Sequence, residues 1–289
     1  MERILVATDF STRSDRAVRR AVLLAHKTGA AIRLLHIVDD DRPEYLVSVE
    51  RSAADRALGE LCRTIRDLDG LSCDYHLSLG DPLEGIVAAA RTQNAGLLVI
   101  GPHRRQILRD AFVGTTAERV IRQSQVPLLV ANGSPLGPYR HVLAASDLSQ
   151  PSADAVSILG RLALAPDADL TLFRAIDVPE IGLMVRAQIT SDEIKYQMER
   201  REKAASEELR AFGAGLPVTS RHCIAAMANG STAFTILKAS AETGADLIVI
   251  GTRGQIRLAR LLLGSVTESV LRSATIDVLV VPPKQSDED

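Results

Sequence analysis

The chain has 289 residues, enough for one large or two medium domains, each able to bury its own core. Its 34 basic and 36 acidic residues leave a net charge of -2, which argues against a broad nucleic-acid footprint. No apolar run reaches the roughly 18–20 residues needed to cross a membrane. Met1 leads straight into a strand-like ILVATDF with no signal peptide, so a cytoplasmic chain with neither membrane nor nucleic acid as partner is expected.

In chain order, RILVATDFS at residues 3–11 predicts a first strand ending in a polar turn. Ala17, Val18, Ala21, Val22, Leu24 and Ala25 then keep one apolar helical face, opened by Ser11 or Ser14 as a cap. AIRLLHIVD at 31–39 is a second apolar run, and residues 43–69 form a long, charged, amphipathic helical segment. AGLLVIG at 95–101 and VPLLV at 126–130 complete the strand candidates of this half. NGSPLGPY at 132–139 is rich in turn residues and marks a boundary.

The same order then repeats. HVLAASDLS at 141–149 echoes the first run, DLTLFRAID at 169–177 the second, ADLIVIG at 245–251 the third and IDVLV at 276–280 the last. Residues 188–212 supply the second long amphipathic helix. A period of about 140 residues is a duplicated domain rather than a solenoid repeat. Short continuous apolar strands alternating with helices imply parallel sheets with right-handed crossovers. The expected class is α/β: two tandem doubly wound, Rossmann-like domains at 1–134 and 138–284, each a five-stranded parallel sheet flanked by about four helices.

In such sheets ligands sit beyond the carboxyl ends of the strands, where the winding reverses. Gly251 and Asp147 both fall at such ends. Glycine there frees backbone N–H groups to face an anion, and Gly264-Ser265 opens a helix whose amino end carries partial positive charge. A glycine turn and a helix amino terminus together make a phosphate cradle, although Ser265 also suits an ordinary helix cap.

The spacing G-x2-G-x9-G-S, met by Gly251, Gly254, Gly264 and Ser265, resembles the ATP-binding signature of the universal stress protein (UspA-like) family. Openings such as ILVATDFS and closing strands such as VPLLV are similar to that family too, across both halves. The resemblance implies an adenine nucleotide α-hydrolase-like fold and a binder or sensor of an adenine nucleotide, ATP first, with Mg or Mn accompanying it. Hydrolysis would be slow if it occurs at all. Asp147 takes the family's acidic position near the nucleoside, and Ala145 stands where proline is common. Ala175 stands where a valine usually borders adenine. Gly251, Gly254, Gly264, Ser265 and the backbone of Val266 would line phosphates and ribose, with Arg253 adding charge or standing free in solvent. Asp147 is equally placed to cap the helix beginning near residues 150–152.

The first half keeps Asp9, Gly101, Gly114 and Thr115 but has Arg104 for the middle glycine and Pro102 in the loop. It reads as a structural or regulatory copy, or else as an anion site built from His103, Arg104, Arg105 and Arg109. His36 reads as structural, and no residue set has metal spacing. A nucleotide-independent interaction scaffold and a hydrolase are the competing functions; the hydrolase is disfavoured because VATDFS and AASDLS lack an S-G-G-x-D-S-like loop. Cys62, Cys73 and Cys223 form no C-x-x-C pair and are expected as reduced thiols, with Cys62 and Cys223 packing in the core. The terminal strands VPLLV and IDVLV look like the family's dimer-forming edge, which implies an intrachain pseudo-dimer and, between chains, a homodimer.

Overall fold

A computed structural model describes residues 1–102, 116–177, 191–228, 230–252 and 263–283. The first half runs β1 (Arg3–Ala7), α1 (Thr12–Thr28), β2 (Ala31–Val38), α2 (Glu44–Asp69), β3 (Cys73–Leu79), α3 (Pro82–Thr92), β4 (Leu97–Ile100), α4 (Thr116–Gln123) and β5 (Leu128–Val130). The second runs β6 (His141–Ala145), α5 (Gln150–Arg161), β7 (Asp169–Ile176), α6 (Ser191–Ala214), β8 (His222–Met227), α7 (Thr232–Glu242), β9 (Leu247–Gly251), α8 (Ser265–Ser273) and β10 (Asp277–Val281). All ladders within each half are parallel, so the expected α/β class with two tandem five-stranded halves is what the chain adopts.

Strand order is β3-β2-β1-β4-β5-β10-β9-β6-β7-β8, one continuous sheet of ten strands. The two halves meet at β5 and β10, which pair antiparallel with Leu129 opposite Leu279. Alternate residues of the central strands face opposite sides, and both sides are covered. Ile4, Val6, Val142 and Ala144 pack in a cluster with residues of α1, α2, α5 and α6. Leu5, Leu143, Ile248 and Val278 pack in another with residues of α3, α4, α7 and α8. This double coverage is why the strands read as unbroken apolar runs rather than alternating ones.

A buried polar knot lies beside the seam. Arg20 Nε stands 2.7 Å from Asp277 Oδ2, both side chains being almost wholly enclosed. The N–H of that nitrogen is not aligned on an acceptor, so the contact acts as a charge pair rather than a directed hydrogen bond. Tyr139 Oη donates to Asp277 Oδ2 at 2.6 Å and Gly133 N donates to Oδ1 at 2.7 Å. Arg20 also donates to the Gly137 carbonyl and lies 4.3 Å over the Tyr139 ring. The turn-rich connector is thus held against α1 of one half and β10 of the other. Burial pushes the Asp277 carboxyl above its ordinary value, with Arg20 pulling against it. Burial and Asp277 push the Tyr139 phenol well up.

Candidate functional site

Within each half the winding reverses between the first and fourth strands: β1 and β4 in one, β6 and β9 in the other. The helices that follow these strands lie on opposite faces of the sheet, α1 and α5 on one and α4 and α8 on the other, the placement at which such sheets bind ligands. Asp147 follows β6, and Gly251 is the last residue of β9. Ala145 ends β6 and is buried, while Ala175, near the end of β7, is half-buried against the α7–α8 side of the core.

The turn after β6 is built by short-range bonds. Ser146 Oγ accepts from Leu148 N at 3.0 Å and lies 2.9 Å from Ser152 Oγ. Asp147 Oδ1 accepts from Ser149 N and Ser149 Oγ at 3.1 and 2.5 Å. Ser149, not Asp147, is the N-cap of α5, its side chain accepting from Ser152 N. The capping alternative for Asp147 is therefore corrected: the carboxylate fixes the residue that caps. The first half repeats the arrangement with Thr8, Asp9, Ser11 and Ser14, and Ser11 caps α1. Phe10 and Leu148 occupy the same turn position at φ 58° and 63°, a region that bulky residues avoid. Burial opposes ionisation of Asp9, but the Ser11 and Ser14 bonds and Arg13 hold its carboxyl below the ordinary value.

On the other wall, Gly264 is the N-cap of α8 and no side chain caps this helix. Ser265 is its first residue and exposed, so the reading of Ser265 as a cap is also corrected. Val266 is half-buried behind it. By contrast, α1, α3, α5 and α7 are each capped by a serine or aspartate side chain. Two bonds tie the start of α8 to the end of β9: Gly264 N donates to Thr252 O at 2.9 Å, and buried Thr267 Oγ1 donates to Gly251 O at 2.8 Å. Thr252 N in turn donates to Val281 O of β10 at 3.0 Å. Neither threonine stands out in sequence, because Thr267 acts from within a helix across the whole loop. Their first-half counterparts are Pro102 and Ala117, which have no N–H and no hydroxyl to give.

Arg253 and Gly254 lie outside the described residues, as do Gly114, Thr115 and the His103, Arg104, Arg105, Arg109 cluster. Gly101 is described, and a Cβ there would meet Arg13 O at 2.7 Å and Ser14 N at 3.0 Å, both backbone atoms of α1. Close helix approach requires that glycine whatever the loop binds. His36 is buried at the end of β2, with Nδ1 2.8 Å from Thr8 O and its ring against Phe10, a structural role as expected. Among the described residues, no three His, Cys, Asp or Glu side chains gather in a way that would hold a metal ion. No described helix is long and apolar enough to cross a membrane.

Two tandem doubly wound α/β halves, each with an acidic turn after its first strand and a glycine at the carboxyl end of its fourth, define the class. The model of the universal stress protein family matches residues 1–132 and again 138–282, and the chain belongs to that family. A universal stress protein of Mycolicibacterium smegmatis is 25% identical over 300 residues, covering 97% of both chains. One from Methanocaldococcus jannaschii is 30% identical over 156 residues, 53% of this chain and 86% of its own. The crystal structure of a universal stress protein from Archaeoglobus fulgidus superposes with a TM-score of 0.68 at 20% identity, over 97% of this chain and 98% of that one.

Proposed function

We propose that the chain binds one adenine nucleotide, ATP, in its second half and serves as a nucleotide-responsive module of stress response or signalling in the cytoplasm. The two units are taken as 1–134 and 138–284. The observation that carries this reading is the uncapped amino end of α8, tied at the switch point to the end of β9 by the Gly264 N–Thr252 O and Thr267 Oγ1–Gly251 O bonds. Uncapped N–H groups and the helix dipole favour an anion there. Gly251, Gly264, Ser265 and Val266 would face the phosphates and ribose, Asp147 the nucleoside, and Ala145 and Ala175 the base. Arg253 and Gly254 enter on sequence alone. Mg or Mn would accompany the triphosphate. The first half lacks the pinning groups and serves as the structural copy.

The antiparallel β5–β10 seam supports an intrachain pseudo-dimer. It occupies both terminal edges, so a homodimer of chains would have to use another surface.

Calorimetric titration of the intact protein with ATP, AMP and cyclic AMP, alongside a phosphate-release assay, tests the proposal. The expected result is one ATP per chain and, in Gly254→Arg, an affinity lower by at least about tenfold, equivalent to about 1.4 kcal/mol. Two nucleotides per chain, or unchanged affinity in that variant, would overturn it.

A further inference from the structure

Cys62 and Cys73 lie eleven positions apart in sequence, one in the last turns of α2 and the other opening β3. The fold brings their sulfurs to 3.1 Å. That is only about 1 Å more than the roughly 2.05 Å of a disulfide bond. Both are free thiols, as is Cys223, whose nearest polar neighbour is Ser220 Oγ at 3.6 Å. The pair is not part of the duplicated frame: extending the β7–β8 register places Arg221 where the first half has Cys73.

We propose that Cys62 and Cys73 are a reversible dithiol–disulfide site, oxidised by a hydroperoxide, that staples the end of α2 to β3. Both side chains are buried, at the outer edge of the sheet. β3 is the outermost strand of the sheet, and Arg66, Gly70, Ser72 and Asp74 around the pair are exposed. Oxidation requires that the end of α2, capped by Gly70 at φ 66°, open transiently to admit a small oxidant, as helix ends do by fraying. The roles of the two sulfurs differ. Either sulfur can donate in the 3.1 Å contact; with Cys73 as the donor the Cys62 thiolate is favoured against burial, and the Arg66 guanidinium adds to it. Cys73 itself is held protonated, chiefly as the donor to Cys62. In the first step the Cys62 thiolate attacks the peroxide, the O–O bond breaks, Cys62 sulfenic acid forms, and the departing alkoxide or hydroxide takes a proton from solvent to leave as alcohol or water. In the second, Cys73 sulfur attacks the sulfenic sulfur and gives up its proton; hydroxide leaves and is released as water. Two thiols are oxidised by two electrons, and one peroxide is reduced.

The test uses the full chain. Protein treated with hydrogen peroxide is denatured, alkylated and cut with trypsin without reductant. Peptides 57–63 and 67–91 are expected as one linked species, with Cys223 alkylated, and dithiothreitol is expected to return both peptides with free thiols. The oxidised protein is expected to melt higher than the reduced one, and Cys73→Ser to lose both the link and the shift. Alkylation of both Cys62 and Cys73 after peroxide would overturn the proposal. So would Cys62 ending as sulfinic acid, a link through Cys223, or a disulfide that leaves the melting temperature unchanged or lower. The wild-type map decides the chemistry even if the serine variant does not fold.

Discussion

Thr267 holds α8 to the last carbonyl of β9 through one buried hydroxyl. Replacing it with valine keeps the volume and leaves the Gly251 carbonyl without that donor, a cost of about 1–3 kcal/mol for a buried acceptor. Thr267→Val is therefore expected to lower stability by that amount in urea and to weaken ATP binding as well, since the uncapped helix end is no longer fixed against the strand. Full ATP affinity in a destabilised Thr267→Val protein would mean that the pinning is structural alone. The glycine spacing of this wall was legible because Gly251, Gly254 and Gly264 stand at fixed intervals in the sequence. Thr267 was not, because its partner is a main-chain atom sixteen residues away. Asp277 carries a pH prediction. Its carboxyl is pushed up from an ordinary value of 3.8, so between 3.8 and the raised value the folded chain binds more proton than the unfolded one. Stability from this group is present below 3.8 and falls as pH rises through the folded value. Compared with Asp277→Asn in urea titrations at stepped pH, the wild type should lose ground as pH increases across that window. A wild-type advantage that grows instead would show that the Arg20 charge outweighs burial.

The strand-to-helix turns at β1–α1 and β6–α5 are the elements that the duplication preserves most closely. In each, a hydroxyl, a carboxylate and a capping serine together hold a bulky residue at positive φ. Such strain costs of order 1–3 kcal/mol and survives only where surrounding bonds over-determine the backbone. The first half keeps the turn although Pro102 and Ala117 stand where Thr252 and Thr267 are in the second, so the turn serves the scaffold in its own right. Ser149→Ala removes the cap of α5 and one partner of Asp147; a loss of about 1–2 kcal/mol is expected from denaturant unfolding. Ser11→Ala should cost about the same for α1. A change within a few tenths in both would show that the turn does not depend on its caps. The faces of α1 and the spans of α2 and α6 followed from apolar period, because one side of each packs on the sheet. Which serine capped α1 did not follow, since Ser11 and Ser14 are both in the turn and only backbone geometry separates them. The Cys62–Cys73 contact was likewise invisible, because it depends on how far α2 reaches back before β3 begins.

At the scale of the molecule, the seam decides how the two halves share stability. Its ladder is short, three residues from each strand, but Leu128, Leu129 and Val130 and their partners Val280, Leu279 and Val278 are all buried. Each apolar cluster runs through both halves without a break. Polar contacts cross as well: Arg20 to Asp277, Lys27 to Asp167, the Asn132 amide to the Ile276 carbonyl, and Arg122 to Glu268. Surface pairs among these contribute little, but enclosed Arg20, Tyr139 and Asp277 leave buried polar groups stranded if either half opens alone. One half cannot unfold without exposing the other's β5 or β10 core to water. The chain is therefore expected to melt in a single transition, with calorimetric and van't Hoff enthalpies equal, even though it holds two domains. Leu5→Ala in the first half and Leu143→Ala in the second should each cost about 2–5 kcal/mol and move that same transition as a whole. Two separable transitions, each sensitive to only one of these substitutions, would show that the seam joins two independent folds.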